Sequence, residues 1–335
     1  MKIIVDAFGG DNAPLEVIRG AAEAIEAYDV DILLTGKEAI IRQTAAEHAV
    51  SLDRMEILDC DDVITMDDHP RSILKEHKNS SMAVGLQALA AGQGDAFVSA
   101  GSTGALLMGS TFLVKRISGV SRPAIAAVIP STKGPVMLID SGANADCRAD
   151  MLLRFGQMGS LYMTDVMGGG KEATVGLLNV GTEETKGGPL QQEAYALLKQ
   201  SDLHFVGNVE ARDIPFGVAD VIVADGFSGN VLLKTMEGTA DMIVQNLKTM
   251  FYTSLKTKIG ALLVKKELDA FKKSMSTAEY GGAPLLGVRK PVIKTHGNAK
   301  ALAIKNAIRV AAEFAKAGVI DKIKATVQAE GAEEA

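Results

Sequence analysis

At 335 residues, 47% of them hydrophobic and 23% charged, the chain is long enough to bury a large core and has a globular composition. A formal charge of −6, few aromatics and no Trp exclude a general nucleic-acid binder and a stacking platform for single strands. Two cysteines, Cys60 and Cys147, give no disulfide framework and suit a reducing, cytoplasmic compartment.

Short β-branched runs alternate with longer periodic segments. The strand candidates are Ile3–Val5, Val30–Leu34, Glu56–Leu58, Ala96–Ser99, Ala124–Ile129, Val136–Ile139, Thr174–Leu178, His204–Val206 and Val221–Ala224. Helical spacing covers 14–28, 37–48, 79–91, 103–116, 149–164, 189–200 and 298–316. This rhythm predicts an α/β fold, a mainly parallel sheet flanked by helices on both faces, as one domain over 1–335. The N-terminus reads as a first strand ending in Asp6, not as a signal peptide. No apolar run approaches the ~18 residues of a membrane span. The tail Ala329–Ala335 is expected to fray.

One region breaks the rhythm. From about 231 to 280 there is no strand signal, and Met242, Leu247, Met250, Phe251, Leu255, Ile259, Leu262 and Leu263 recur at helical spacing. Lysines lie between them, and residues 231–294 carry eleven cations against five acids. The segment is basic and amphipathic within an acidic chain.

Several strands run directly into small polar loops, where α/β sheets bind ligands. "SAGSTGALL" joins β-like Ala96–Ser99 to a helix start through Gly101, Ser102, Thr103 and Gly104. Free N–H groups there suit an anion, although Ser102 or Thr103 equally suits a helix cap. "VDAFGGDNAP" follows the first strand, with Asp11 or Asn12 as the expected cap and Pro14 in the first turn. "LLNVGTEETKGG" offers Asn179, Thr182 and Lys186, the lysine suited to phosphate or an oxyanion but also to plain solvation. "VADGFSGNVLLK" places Ser228 and Asn230 at a helix start with Lys234 one turn in; Ser228 is the expected cap if the loop is only structural. Glu210, Arg212 and Asp213 read most simply as an internal salt bridge. "YGGAPLLGVRKPVIKTHGNA" combines an apolar turn with a short strand ending in Lys294, Thr295 and His296. No GxGxxG supports a nicotinamide cofactor, and no CxxC or HExxH spacing supports a metal.

These motifs, with "NSSM" (79–82) and "DSGAN" (140–144), occur in an order that resembles the bacterial phosphate acyltransferases of phospholipid synthesis. Phe8 stands where Met is usual in that family, and Ser102 where Asn is common. The resemblance implies transfer of a long fatty acyl group from acyl carrier protein to inorganic phosphate, giving acyl phosphate for a membrane glycerol-phosphate acyltransferase. It implies a fold similar to isocitrate and isopropylmalate dehydrogenases and phosphotransacetylases, a homodimer, and no metal or other cofactor. Under it, Lys186, Asn230 and His296 become candidate catalytic groups. Gly101, Ser102, Thr103, Gly104, Asn144, Asn179, Ser228 and Lys294 become candidate phosphate or substrate contacts. The basic segment is then expected to pack a dimer, dock the carrier protein or lie peripherally on the inner face of the membrane. Two alternatives stay open: a coenzyme-A-dependent phosphotransacetylase-type enzyme, and a non-catalytic regulator that binds acyl carrier protein.

Overall fold

The computed structural model describes residues 1–274 and 280–333. Residues 275–279 of the predicted helical segment, and 334–335 of the tail, lie outside the described residues. Eleven strands form one sheet: β1 Lys2–Asp6, β2 Asp31–Gly36, β3 Met55–Asp59, β4 Ala96–Ser99, β5 Ala124–Ser131, β6 Gly134–Ile139, β7 Val175–Asn179, β8 Phe205–Glu210, β9 Val221–Val223, β10 Ala283–Leu286 and β11 Val292–Lys294. The helices are α1 Leu15–Tyr28, α2 Glu38–Glu47, α3 Ser81–Ala90, α4 Thr103–Gly109, α5 Ala149–Tyr162, α6 Pro189–Gln200, α7 Gly226–Tyr252, α8 Leu255–Leu263, α9 Lys265–Ser274, α10 Ala301–Ala317 and α11 Val319–Glu333. Widened turns over Ser110–Lys115 and Met163–Met167 prolong α4 and α5, which accounts for the predicted lengths.

The strand order is β3-β2-β1-β4-β11-β10-β5-β6-β9-β7-β8, with most neighbours parallel. Three pairings, β11–β10, β10–β5 and β5–β6, are antiparallel. They divide the sheet into two parallel blocks of opposite direction. The carboxyl ends of β1, β4 and β11 therefore lie on one edge, and those of β6, β9 and β7 on the other. Period-2 alternation supplies both cores. Ile3 and Val5 face a layer with α1, α5 and α10, while Ile4 joins the layer with α3 and α4. Further along, Val136, Leu138 and Ile222 pack under Leu232, Leu233 and Met236 of α7.

Four expectations are corrected. The "apolar turn" at 283–286 is β10, because Leu285 and Leu286 pair with Ile125 and Ala124 across the sheet. The tail is helical through Glu333, as a continuation of α11, whose Val319, Ile323 and Val327 bury one face upstream of it. Neither Asp11 nor Asn12 caps α1 with its side chain; Pro14 occupies the cap, and Asn12 instead donates to Asn298 and Ala299 carbonyls at 3.0 and 3.3 Å. The helical stretch also begins at Gly226, earlier than 231.

Helix α1 crosses α10 at Gly20, where a Cβ would lie 2.6 Å from both the Ala301 carbonyl and the Ile304 Cβ. Gly20→Ala is expected to lower stability by about 1–3 kcal/mol despite alanine's higher helix propensity. An unchanged midpoint in urea unfolding would show that the two helices have room to separate.

Candidate functional site

Strands β1, β4 and β11 are consecutive in the sheet, so the loops beyond their carboxyl ends meet. The meeting is close because two of the residues are glycine. A Cβ on Gly9 would lie 2.6 Å from Asp6 Oδ2 and 2.8 Å from both Gly101 N and Ser99 Oγ. Gly10 takes φ +95° against the Gly297 carbonyl, where a side chain would collide at 2.7 Å. Backbone bonds stitch the loops together: Asp11 N to Gly297 O at 2.7 Å and Thr295 N to Ser99 O at 3.0 Å.

Asp6 anchors this corner from beneath. Its carboxylate accepts from Ser99 Oγ at 2.7 Å and Phe8 N at 3.2 Å, and Gly101 N donates onward to Ser99 Oγ at 3.0 Å. Full burial pushes the Asp6 carboxyl above the usual carboxylate range, although hydrogen bonds from Ser81, Ser99, Phe8 and Gly9 oppose the shift. Lys294 ends β11 beside it. Its Nζ donates to the Ala100 carbonyl at 3.4 Å and to the Thr295 carbonyl. Desolvation and the charge of Lys234 hold the Lys294 amine down to about 8, while Asp6 and Asp11 act in the opposite direction.

Helix α7 brings a second set of side chains to the corner. Lys234 Nζ pairs with Glu237 Oε2 at 2.7 Å, and His296 Nε2 lies 3.3 Å from Glu237 Oε1. Burial lowers the His296 imidazole; Glu237 opposes this, and Lys234 and Lys294 reinforce it. The α4 turn supplies the remaining wall. Ser102 is its cap, accepting from Ala105 N at 3.4 Å. Thr103 and Gly104 follow in the first turn, where helix N–H groups lack intrahelical partners. The corner thus presents two ammonium groups, a histidine and a helix N-terminus to one space, an arrangement suited to a compact oxyanion.

The other predicted residues fall into two further groups. At the opposite sheet edge, Asp140 receives donors from Ile125 N, Gly142 N, Ala143 N, Asn144 N and Asn144 Nδ2 at 2.7–3.1 Å. Asn144 also donates to the Pro123 carbonyl at 2.8 Å. The start of α7 presses onto this turn: a Cβ on Gly229 would sit 1.9 Å from the Asp140 carbonyl. Asn230 Nδ2 donates to Ser141 O at 3.0 Å. Asp225, rather than Ser228, caps α7, accepting Ser228 N and Ser228 Oγ at 2.8 Å each. The third group lies beyond β7, where Asn179 Nδ2 donates to the Lys186 carbonyl at 3.1 Å. Lys186 itself is half exposed, 3.8 Å from Glu183. Helix α7 links the first two groups, since Asn230, Lys234 and Glu237 recur at its 3.6-residue period, spanning about 10 Å.

Sequence reading underweighted Asp6, Lys234 and Glu237. Lys234 was visible only as a lysine one turn into a helix, and nothing local pairs Glu237 with a histidine 59 positions later in the chain. Arg212 does pair with Glu210 at 2.7 Å, as the motif suggested. The thiols supply no thiolate near neutral pH: burial pushes Cys60 up to about 12 and Cys147 to about 11.

Solved structures share this architecture. A phosphotransacetylase from Streptococcus pyogenes aligns with TM-score 0.65 at 17% identity over 94% of each chain. A branched-chain phosphotransacylase from Enterococcus faecalis V583 aligns at 0.60 and 14%, over 94% of this chain and 99% of that one. The fold is thus that of the phosphotransacetylase-like α/β proteins. A family model described as fatty acid synthesis protein matches residues 1–322. The phosphate acyltransferase of Clostridium novyi (strain NT) is 46% identical over 329 residues, 98% of this chain and 99% of that protein. That of Alkaliphilus oremlandii (strain OhILAs) is 46% identical over 334 residues, 100% and 99%. The chain belongs to the phosphate acyltransferase family.

Because Gly9 lets three polar groups approach one point, Gly9→Ala is expected to weaken sulfate binding about tenfold, for some 1–2 kcal/mol of displacement. Isothermal titration checks it, and equal affinity would mean the three loops can part without loss.

Proposed function

We propose that the protein transfers a long-chain acyl group from acyl carrier protein to inorganic phosphate, releasing acyl phosphate for phospholipid synthesis. Full-length similarity to phosphate acyltransferases carries this reading, and the corner supplies a chemistry for it. No observation favours the coenzyme-A or regulatory alternatives.

A phosphate oxygen attacks the thioester carbonyl carbon, the carbonyl oxygen takes the negative charge, and the C–S bond then breaks. The proton left on the attacking phosphate passes to the departing sulfur, so atoms and charge balance. Dianionic phosphate, with a second pKa near the ~6 of phosphomonoesters, is already nucleophilic at pH 7. The leaving thiol has an ordinary pKa of about 8.5. Neither strongly requires a general base or acid, so catalysis rests on positioning and oxyanion stabilisation.

In this reading the Ser102–Gly104 turn and the Lys294 ammonium grip phosphate, with Gly101 setting the turn's approach. Burial favours the neutral form of His296, whose Nε2 faces Glu237 and whose Nδ1 then acts as a proton acceptor beside the reacting centre. Lys186 and Asn230 lie at the opposite sheet edge, outside this corner, and Asn144, Asn179 and Ser228 hold the adjoining turns in place. Lys294, with an amine at about 8, is also matched to protonate the leaving thiolate.

Lys294→Met is expected to lower kcat/KM for phosphate by about 10²–10³ with little loss of thermal stability. In the unaltered chain kcat/KM should fall as pH rises through about 8, where the free ammonium is lost. That limb should vanish in Lys294→Met; its persistence would assign it elsewhere. Lys186→Ala is expected to cut turnover more than stability, and full turnover would remove Lys186 from the reaction.

The helical segment has a further role in this reading. Leu255, Leu262 and Leu263 are 72–79% exposed, and α8 buries no residue. Lys256, Lys258, Lys265 and Lys266 stand among them. We propose that this face supports a homodimer and peripheral contact with anionic lipid at the inner membrane surface, near a membrane acyltransferase that consumes the product. Leu255→Glu and Ile259→Glu should reduce flotation with anionic vesicles. Unchanged flotation alongside a dissociated dimer, read by sedimentation, would assign the face to packing alone.

A further inference from the structure

A second concentration of cations lies away from the exposed helices. Three segments meet at the far end of α4: the turn over 115–122, the loop between β10 and β11, and α11. Arg289 N donates to Lys115 O at 3.0 Å, Arg289 Nε to Arg116 O at 3.0 Å, and Ile117 N to Gly287 O at 2.9 Å. A Cβ on Gly119 would strike Val327 Cγ1, so the turn rests directly on α11. Between them is a cleft of about 280 Å³ lined by Ile117, Ser118, Arg289, Lys324 and Gln328.

Lys115, Arg116, Arg122, Arg289 and Lys290 are exposed around this cleft, with Lys324 in its wall. Asp321 is the acid among them; it bonds Lys324 at 2.7 Å, and the charge of Lys290 also reaches it. None of the five exposed cations makes an ion pair among the described residues, whereas Lys2, Arg42, Arg54, Arg148, Lys199 and Arg212 elsewhere each do. Five uncompensated cations on three adjoining segments repel one another until an opposite charge arrives. The patch is too broad for a single small anion and stands out against a chain of net charge −6.

Its position relates it to the corner. Helix α4 and its widened turn run from Ser102 to Lys115, about 20 Å at helical rise. Strand β11 spans the same gap in the opposite direction, from just after Lys290 to Lys294, about 13 Å. Gly104 and Met108, half buried, and Phe112, 57% exposed, follow one another at four-residue intervals along α4. The patch and the corner are therefore joined by a partly apolar track.

We propose that this cationic patch docks the acidic face of the acyl carrier protein, whose thioester arm then lies along α4 to the corner. The inference rests on the carrier-dependent transfer proposed above. Charges on such a rim act mainly on encounter rate and salt dependence, not on the chemical step.

The test uses the full chain and the variant Lys115→Glu/Arg122→Glu/Lys290→Glu, whose three side chains make no hydrogen bond or ion pair among the described residues. Fluorescence anisotropy with labelled acyl carrier protein should show affinity reduced about tenfold or more, and a shallower salt dependence. Turnover of the same acyl chain on a small-molecule thioester, and KM for phosphate, should be unchanged. Equal carrier affinity in variant and unaltered chain overturns the proposal, as does loss of binding to anionic vesicles in place of carrier. If the unaltered chain makes no acyl phosphate from either thioester, the functional reading fails, and the anisotropy comparison still decides the docking face. Raising salt on the unaltered chain gives a measurement independent of variant folding; carrier affinity that ignores salt also overturns the proposal.

Discussion

The structure depends on a close approach of backbone to backbone at the ends of β1, β4 and β11. Gly9 and Gly10 carry no Cβ, so the first loop lies directly on Ser99, Gly101 and Gly297. Asp6 is locked beneath it by Ser99. Full burial of a carboxyl is costly, and it is tolerated here because donors converge on it and a cationic amine lies nearby. The same crowding that strips water from Asp6 strips it from Lys294, whose amine falls to about 8. A surface lysine at the same place would be a stronger base and a weaker partner for an anion, because water would screen it. The position of an ammonium of modest basicity is thus a consequence of two glycines about 285 residues earlier in the chain.

Much of this was legible in the sequence because strand and helix periods are local properties. The Ala96–Ser99 strand, the Pro189–Gln200 helix and the polar loop at 100–104 follow from alternation, 3.6-residue spacing and turn chemistry. The middle of the sheet was not legible. Residues 283–286 carry no alternation and look like a turn, yet become β10 because β5 and β11 offer edges on either side. The two antiparallel pairings of β10 leave β5 parallel to β11; the antiparallel β5–β6 pair then reverses the rest of the sheet and puts Asn144 and Asn230 at the opposite edge from Lys294. The site residues were similarly half visible. Glycines and hydroxyls at strand ends mark themselves, whereas Glu237 is marked only by a contact with His296 that the fold creates. Asn144 and Asn179 looked like donors for a ligand, but their amides are occupied by backbone carbonyls.

Helix α7 reconciles the reversed blocks. It begins at the carboxyl end of β9, pinned by Asp225 and by Gly229 against the Asp140 carbonyl. Two turns later Leu233 and Met236 pack over the sheet, while Lys234 and Glu237 reach the opposite edge. A rigid helix is well suited to this, because its 1.5 Å rise fixes the spacing between the two ends.

Charge is distributed along the same lines. The chain is acidic overall, yet its cations gather at the corner, on the exposed face of α8 and α9, and around the cleft beside α11. At the corner Lys294 is largely desolvated and weakly screened, while Lys234 stands more exposed beside it. The other two are broad and solvent-facing, where each charge is worth little alone and the sum acts through steering and surface adsorption. The proposed transfer, from an acidic carrier protein to phosphate, would need both kinds of electrostatics, and would need them apart. A carrier held at the corner itself would compete with phosphate for Lys294. A carrier docked at the patch beside α11, set off from the corner by the length of α4, would avoid that competition and leave the corner free to select its anion by size.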